Sequence, residues 1–156
     1  MLPYERLLRE ADQQGVDVYE RPLAGRLKGL YADNTIIIKR NMTYREKGGI
    51  LAEELGHHYT STGNILDQKD IRSRKQEKRA KSWAYQRLVP LSQIVQAYHA
   101  RVKGRHEIAE FLCVTEDFLQ RSIERYQEKY GLYVIHDERY AIYFDPLSVV
   151  EMFDYP

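Results

Sequence analysis

Several features that would narrow the class of protein are scarce or missing in this sequence. It has a single cysteine, Cys113, in 156 residues, which excludes an internal disulfide and favours a reducing compartment. No apolar run approaches the roughly 20 residues of a membrane-spanning helix, and the charged N-terminal segment lacks the apolar core of a signal peptide. A net charge of +1 excludes a strongly basic nucleic-acid binder. We therefore expect a cytoplasmic protein with no membrane partner.

The length and the ordinary soluble composition predict one domain with one sizeable core. The secondary-structure elements are predicted from apolar patterns, from breaks at glycine and proline, and from capping boxes at Thr43–Glu46 and Ser73–Gln76. Helices are predicted at 3–14, 43–59, 73–89, 92–102 and, as a pair around a turn at 113–115, at 106–131, with strands at 16–20, 27–31, 35–39, 132–135 and 140–144. The second helix should stop near Gly63–Asn64. Residues 147–153 form an apolar tail.

This layout predicts an α+β fold in a single domain spanning residues 1–156. Residues 1–90 form the core, with a small N-terminal sheet packed on helices, and residues 91–156 form a helical and hairpin extension. The helix pair at 106–131 resembles a helix-turn-helix. Glu116 and Asp117 lie at the end of the second helix that would meet the phosphates of DNA, so we expect this unit not to bind DNA.

The segment LAEELGHHYT, residues 51–60, differs by one residue from the zinc-peptidase signature His-Glu-x-x-His. Glu53 occupies the place of the first histidine. Because residues four apart share one face of a helix, Glu53 and His57 could hold one metal ion. Glu54 lies about 100° further round the helix, which suits a base that reaches a water molecule beside the metal.

The same helix has a predicted core stripe and two glycines that weaken it. Gly48 and Gly49 lower helix propensity, and close packing against a neighbour is one reason to keep them. The core stripe comprises Tyr44, Gly48, Leu51 and Leu55.

If the strand at 35–39 lies at the sheet edge, it could pair with an extended substrate peptide.

Glu77 is the candidate for the third metal ligand, since a hydrolytic zinc usually has three protein ligands. It is the only acidic residue between Ile71 and Pro90. Helical spacing places it on the inward stripe of Ala80, Ala84 and Leu88, where a carboxylate is costly unless it has a partner. A surface pair with an arginine is the alternative, and the inward stripe favours the metal.

Two motifs in tandem resemble the ImmA/IrrE family of metallopeptidases found with phages and conjugative elements. The family pattern resembles H-E-x-G-H followed by E-x-x-A-x-x-F-A-x-x-L-L-x-P, and residues 53–57 and 77–90 match most of it. The resemblance spans residues 4 to about 130. It implies a minimal zinc-peptidase core in which Glu54 is the general base and His57 and Glu77 are metal ligands. It also implies a protein substrate, a helix-turn-helix repressor.

Glu53 is the departure from the family pattern. Two carboxylates and a neutral imidazole carry a charge of −2, which should make the metal a weaker Lewis acid than a site with two histidines. Zinc remains the first expectation for the divalent metal, and manganese becomes a credible competitor. The alternative is a degenerate site in an antirepressor that binds the repressor without cutting it. A shifted ligand pair, Glu54 and His58, would leave Leu55 in place of the base, so we assign His58 to packing or support of the site.

Overall fold

The structure is a computed structural model that describes residues 2–61 and 74–153. The capping box at Ser73 and the predicted helix stop at Gly63–Asn64 lie outside these ranges. Within them the chain forms six helices and six strands, which confirms the α+β fold. In the same ranges, every helix is too short or too polar to span a bilayer. The chain forms two compact units, Met1–Leu88 and Val89–Pro156, and the single domain stays a prediction.

The first unit combines a three-stranded sheet with three helices. Its elements are α1 (Pro3–Gln13), β1 (Asp17–Arg21), β2 (Gly29–Ala32), β3 (Thr35–Lys39), α2 (Tyr44–Thr60) and α3 (Arg74–Leu88). The strand order is β1-β3-β2, with β1 parallel and β2 antiparallel to β3. Strands β2 and β3 are joined by Asp33 and Asn34, both with the positive φ of a two-residue hairpin turn. Strand β3 is therefore central, and the idea that it pairs with substrate from the sheet edge is wrong.

Helix α2 occupies the centre of this unit, in contact with α1, α3, β2 and β3. Gly48, Leu51 and Leu55 are buried as predicted, whereas Tyr44, at the first residue of the helix, is 64% exposed. Burial extends well beyond one stripe, since Glu54 and His57 are each only 6% exposed. Because neighbours contact the helix on several sides, two polar residues of its second half, Glu54 and His57, lie inside the protein.

The second unit contains three helices and a second sheet. Its elements are α4 (Leu91–His99), α5 (Arg105–Leu112), α6 (Glu116–Tyr130), β4 (Tyr133–His136), β5 (Tyr140–Phe144) and β6 (Leu147–Glu151). The predicted hairpin is β4–β5. The predicted tail is wrong for most of its length, because Leu147–Glu151 adds a third antiparallel strand beside β5.

The helix-turn-helix-like pair is α5 and α6, joined by a turn in which Cys113 has a left-handed backbone. Thr115 caps α6 by accepting a hydrogen bond from the backbone N–H of Phe118 at 3.0 Å. Glu116, in the first turn of α6, pairs with His106 of α5. The absence of DNA binding stays a prediction.

Candidate functional site

The helix that carries the motif begins at a capping box. Thr43 Oγ1 accepts a hydrogen bond from the backbone N–H of Glu46 at 3.2 Å, and Glu46 Oε2 accepts one from the N–H of Thr43 at 2.9 Å. From this start α2 runs for 17 residues, so Glu53, Glu54 and His57 all lie in regular helix. The fixed start therefore sets which side of α2 each motif residue occupies.

Helix α3 approaches helix α2 closely at Gly56. A Cβ atom on Gly56 would lie 2.9 Å from the carbonyl carbon of Ala80 and 3.0 Å from its Cα, and closer still to the carbonyl oxygen. Only glycine lets the two backbones come this near. His57 follows Gly56 directly and Glu77 precedes Ala80 by about one turn, so this crossing brings the two side chains together. Gly48, which the sequence marked for close packing, would meet only ordinary contacts.

His57 and Glu77 are in direct contact, with Nε2 and Oε1 3.2 Å apart. The His57 side chain is 8% exposed and that of Glu77 is 34% exposed, so one side of the pair is open to solvent. Ala80, Ala84 and Leu88 are buried, which places Glu77 on the predicted inward stripe. Two ligands of one tetrahedral zinc, bonded at 2.0–2.2 Å, lie about 3.3 Å apart. The two donor atoms therefore have the spacing of one edge of such a site.

Glu54 lies against strand β2. A Cβ atom on Gly29 would lie 2.6 Å from Ile50 Cγ2, 3.0 Å from Glu54 Oε1 and 3.1 Å from Glu54 Cγ. The side chains of Ile50 and Glu54 thus occupy space that any other residue at position 29 would fill. Glycine at position 29 therefore leaves room for the predicted base between α2 and β2.

Glu53 is half-buried on α2, four residues before His57. Within residues 2–61 and 74–153, no group of three or more His, Cys, Asp or Glu side chains is placed to hold a metal ion. The structure therefore brings His57 and Glu77 together but does not add Glu53 to them as a third donor. The roles of Glu53, Glu54, His57 and Glu77 stay predictions.

His58 and Tyr31 form a pair beside the motif that the sequence did not indicate. A hydrogen bond of 2.8 Å joins Tyr31 Oη and His58 Nδ1, and the rings meet edge to face. Burial raises the pKa of Tyr31 above its usual range. Tyr31 is two residues from Gly29, so both occupy the face of β2 that meets α2. The sequence has thirteen tyrosines and did not single out Tyr31 as a residue near the site. The available signal was the two-residue spacing of Gly29 and Tyr31, which places both on one face of a strand.

A second network connects the three helices near the site. Tyr59 Oη donates to Glu10 Oε1 at 3.2 Å, and Arg87 Nη2 donates to Glu10 Oε2 at 2.6 Å. The Tyr59 ring stacks on Trp83 with centroids 4.9 Å apart. Burial raises the pKa of Tyr59, and the Glu10 carboxylate adds to the rise. These contacts join α1, α2 and α3 through Tyr59, which lies two residues after His57 on α2.

Comparison with known proteins agrees with the resemblance seen in the motifs. No curated protein matches the chain. A model of the Peptidase M78 family, described as an IrrE N-terminal-like domain, matches residues 1–124 and so includes every predicted site residue. Strands β4 to β6 lie beyond that match. The chain therefore belongs to the IrrE N-terminal-like family, a family of the metallopeptidase type.

Proposed function

We propose that this protein is a metal-dependent endopeptidase whose substrate is a helix-turn-helix repressor of a phage or mobile element. The observation that carries the proposal is the 3.2 Å contact between His57 of α2 and Glu77 of α3, on the same helix α2 that carries the buried Glu54. Membership of a metallopeptidase-type family supports the reaction class. The repressor rests on the resemblance to the ImmA/IrrE family.

Each site residue has a proposed role. His57, Glu77 and Glu53 hold a divalent metal, with zinc first and manganese second. When bound, such a metal polarises the scissile carbonyl and acidifies water. Glu54 takes a proton from the attacking water and passes it to the leaving nitrogen. The missing side chain at Gly29 leaves room for this carboxylate between α2 and β2.

The direct test replaces Glu54 by glutamine, which keeps the shape and removes the base. Loss of general-base catalysis should lower kcat by about 10²- to 10⁴-fold. Glu5→Gln is the matched control, because the chemical change is the same and Glu5 is exposed on α1. The assay is cleavage of the helix-turn-helix repressor encoded nearest to the protein, followed by gel and mass spectrometry with and without a chelator. Cleavage by Glu54→Gln at the normal rate would refute the assignment.

Glu53→His restores the family pattern and tests the role of the departure. If Glu53 weakens the Lewis acidity of the metal, the variant should cleave faster with zinc and lose any preference for manganese. If Glu53 takes no part in the site, the ratio of the cleavage rates with zinc and with manganese should be the same in Glu53→His as in the parent protein.

The second candidate function is a non-proteolytic antirepressor that binds the repressor and releases its control. Two observations favour it: glutamate replaces the first motif histidine, and no three-donor group forms within the described ranges. It predicts that Glu54→Gln and chelation leave both repressor binding and derepression unchanged. The peptidase predicts that both treatments abolish derepression, so a reporter gene distinguishes the two.

A further inference from the structure

Helix α3 carries the net positive charge of the residues that the structure describes. It has six basic residues against one acidic residue, Glu77. Residues 2–61 have nine of each sign, and residues 89–153 have seven basic against ten acidic. The basic residues of α3 are Arg74, Lys75, Lys78, Arg79, Lys81 and Arg87. A charge excess confined to one helix beside the candidate site attracts groups of opposite charge.

Two of these basic residues share the side of α3 that carries Glu77. Arg74 precedes Glu77 by three residues and Lys81 follows it by four, so each lies about one turn away along the same stripe. Arg74 is exposed and Lys81 half-buried. Lys75 and Arg79 lie two residues on either side of Glu77, which turns them about 160° away to the far side of the helix. They are exposed as well.

We propose that Arg74 and Lys81 bind an acidic segment of the protein substrate on either side of the His57–Glu77 pair. The inference rests on the proposed function, since it assigns the segment to the substrate of that site. A peptide lying across the contact of His57 and Glu77 passes within one helical turn of both cations. Arg74 is exposed and Lys81 half-buried, so both side chains can reach a glutamate or aspartate of a bound peptide.

An acidic peptide fits this surface better than a nucleic acid does. Each strand of duplex DNA carries one phosphate charge per about 3.4 Å of helix axis, so DNA on this surface would meet Glu77 as well as the cations. A peptide can place its carboxylates opposite Arg74 and Lys81 and a neutral residue opposite Glu77. Each partly exposed pair should contribute about 1.5- to 5-fold in affinity, and added salt should weaken it.

Binding is measured in the Glu54→Gln background, so that no turnover interferes. The probes are fluorescein-labelled peptides that alternate glutamate with neutral residues, and counterparts with glutamine in place of glutamate. Fluorescence anisotropy should show tighter binding of the glutamate peptide at low salt. The double variant Arg74→Gln/Lys81→Gln should lose this preference. Lys75→Gln/Arg79→Gln removes the same charge from the same helix and should keep it.

Three results would overturn the inference: no preference for the glutamate peptide, equal losses in the two double variants, or tighter binding of duplex DNA that depends on Arg74 and Lys81. Equal losses of the preference would mean that the overall positive charge of α3 attracts the peptide without a local binding site. The DNA result would mean that this surface binds nucleic acid. Failure of the proposed peptidase is distinguishable, because a protein that prefers the acidic peptide yet never cleaves repressor contradicts the proposed reaction alone.

Discussion

Replacing Gly56 by alanine tests whether the backbone contact between α2 and α3 sets the geometry of the site. The added methyl group would lie 2.9 Å from the carbonyl carbon of Ala80 and 3.0 Å from its Cα. Since favourable carbon–carbon contacts are about 3.5–4.0 Å long, the two helices must separate by about 0.6 Å or more. The separation acts one residue from His57 and about one turn from Glu77, so it should lengthen the contact between them.

The free energy of unfolding should fall because the obstacle is backbone. Overpacking costs about 1–3 kcal/mol, and the upper end applies where the facing atoms cannot rotate away. Alanine recovers about 1 kcal/mol of helix propensity relative to glycine. We therefore expect Gly56→Ala to lower the free energy of unfolding by about 2 kcal/mol.

Gly48→Ala is the matched control on the same helix. Its methyl group would lie 3.5 Å from the backbone nitrogen of Tyr4, an ordinary contact, so the variant should gain about 1 kcal/mol from helix propensity alone. The propensity gain cancels when the two variants are compared. Their difference, about 3 kcal/mol, is the cost of the clash. Urea titration followed by circular dichroism measures both free energies.

Equal stability of the two variants would refute the reasoning. So would full recovery of Gly56→Ala by Ala80→Gly, since that second change leaves the facing carbonyl and Cα atoms in place. A recovery would mean that the side chain of Ala80 was the obstacle. Stability of Gly56→Ala above that of the parent protein would show that the helices adjust without cost.

Two further predictions concern the base and the helix-turn-helix-like pair. The Cβ atom added by Gly29→Ala would lie 2.6 Å from Ile50 Cγ2 and 3.0 Å from Glu54 Oε1, so both side chains must move. Because a misplacement near 1 Å can cost about 10²-fold, we expect a fall of up to that order in kcat for repressor cleavage, with KM little changed. An unaltered kcat would contradict this reasoning. A hydrogen bond to Glu116, with added attraction from Glu110, raises the pKa of His106 above 6.5. The charged His106 side chain therefore stabilises the folded state fully below that pH, and this stabilisation is lost as the pH rises through the raised pKa. NMR titration should show a lower His106 pKa in Glu116→Gln than in Glu110→Gln, and the reverse order would contradict this.

The sequence predicted those parts of the site that depend on helical spacing. The capping box set the start of α2, the four-residue spacing put Glu53 and His57 on one face, and the inward stripe placed Glu77 towards its partner. These inferences need only the regular geometry of one helix at a time. The contact of His57 with Glu77 then required a single further assumption, that α3 packs on α2.

What sequence could not supply is the register between elements. Two contacts, Glu54 beside Gly29 and Tyr31 with His58, depend on the position of β2 along the length of α2. No local sequence pattern determines that position. The glycines are a further example. The sequence indicated close packing at Gly48, whereas the structure has a close approach of the α2 and α3 backbones at Gly56. Strand β6 was missed because a short apolar run is equally typical of a tail until β5 provides a partner.

Glu53 changes the charge of the candidate site more than its shape. Glutamate at this position adds a third carboxylate, besides Glu54 and Glu77, to the residues predicted to form the site, and like charges repel one another. Helix α3 carries an excess of basic residues over its single acidic one, and Arg74 and Lys81 lie one turn from Glu77. Their positive charges offset part of the negative charge of the predicted site residues. The cations proposed to bind an acidic substrate would therefore also make a glutamate tolerable where the family pattern has histidine, whether the site cleaves its partner or only binds it.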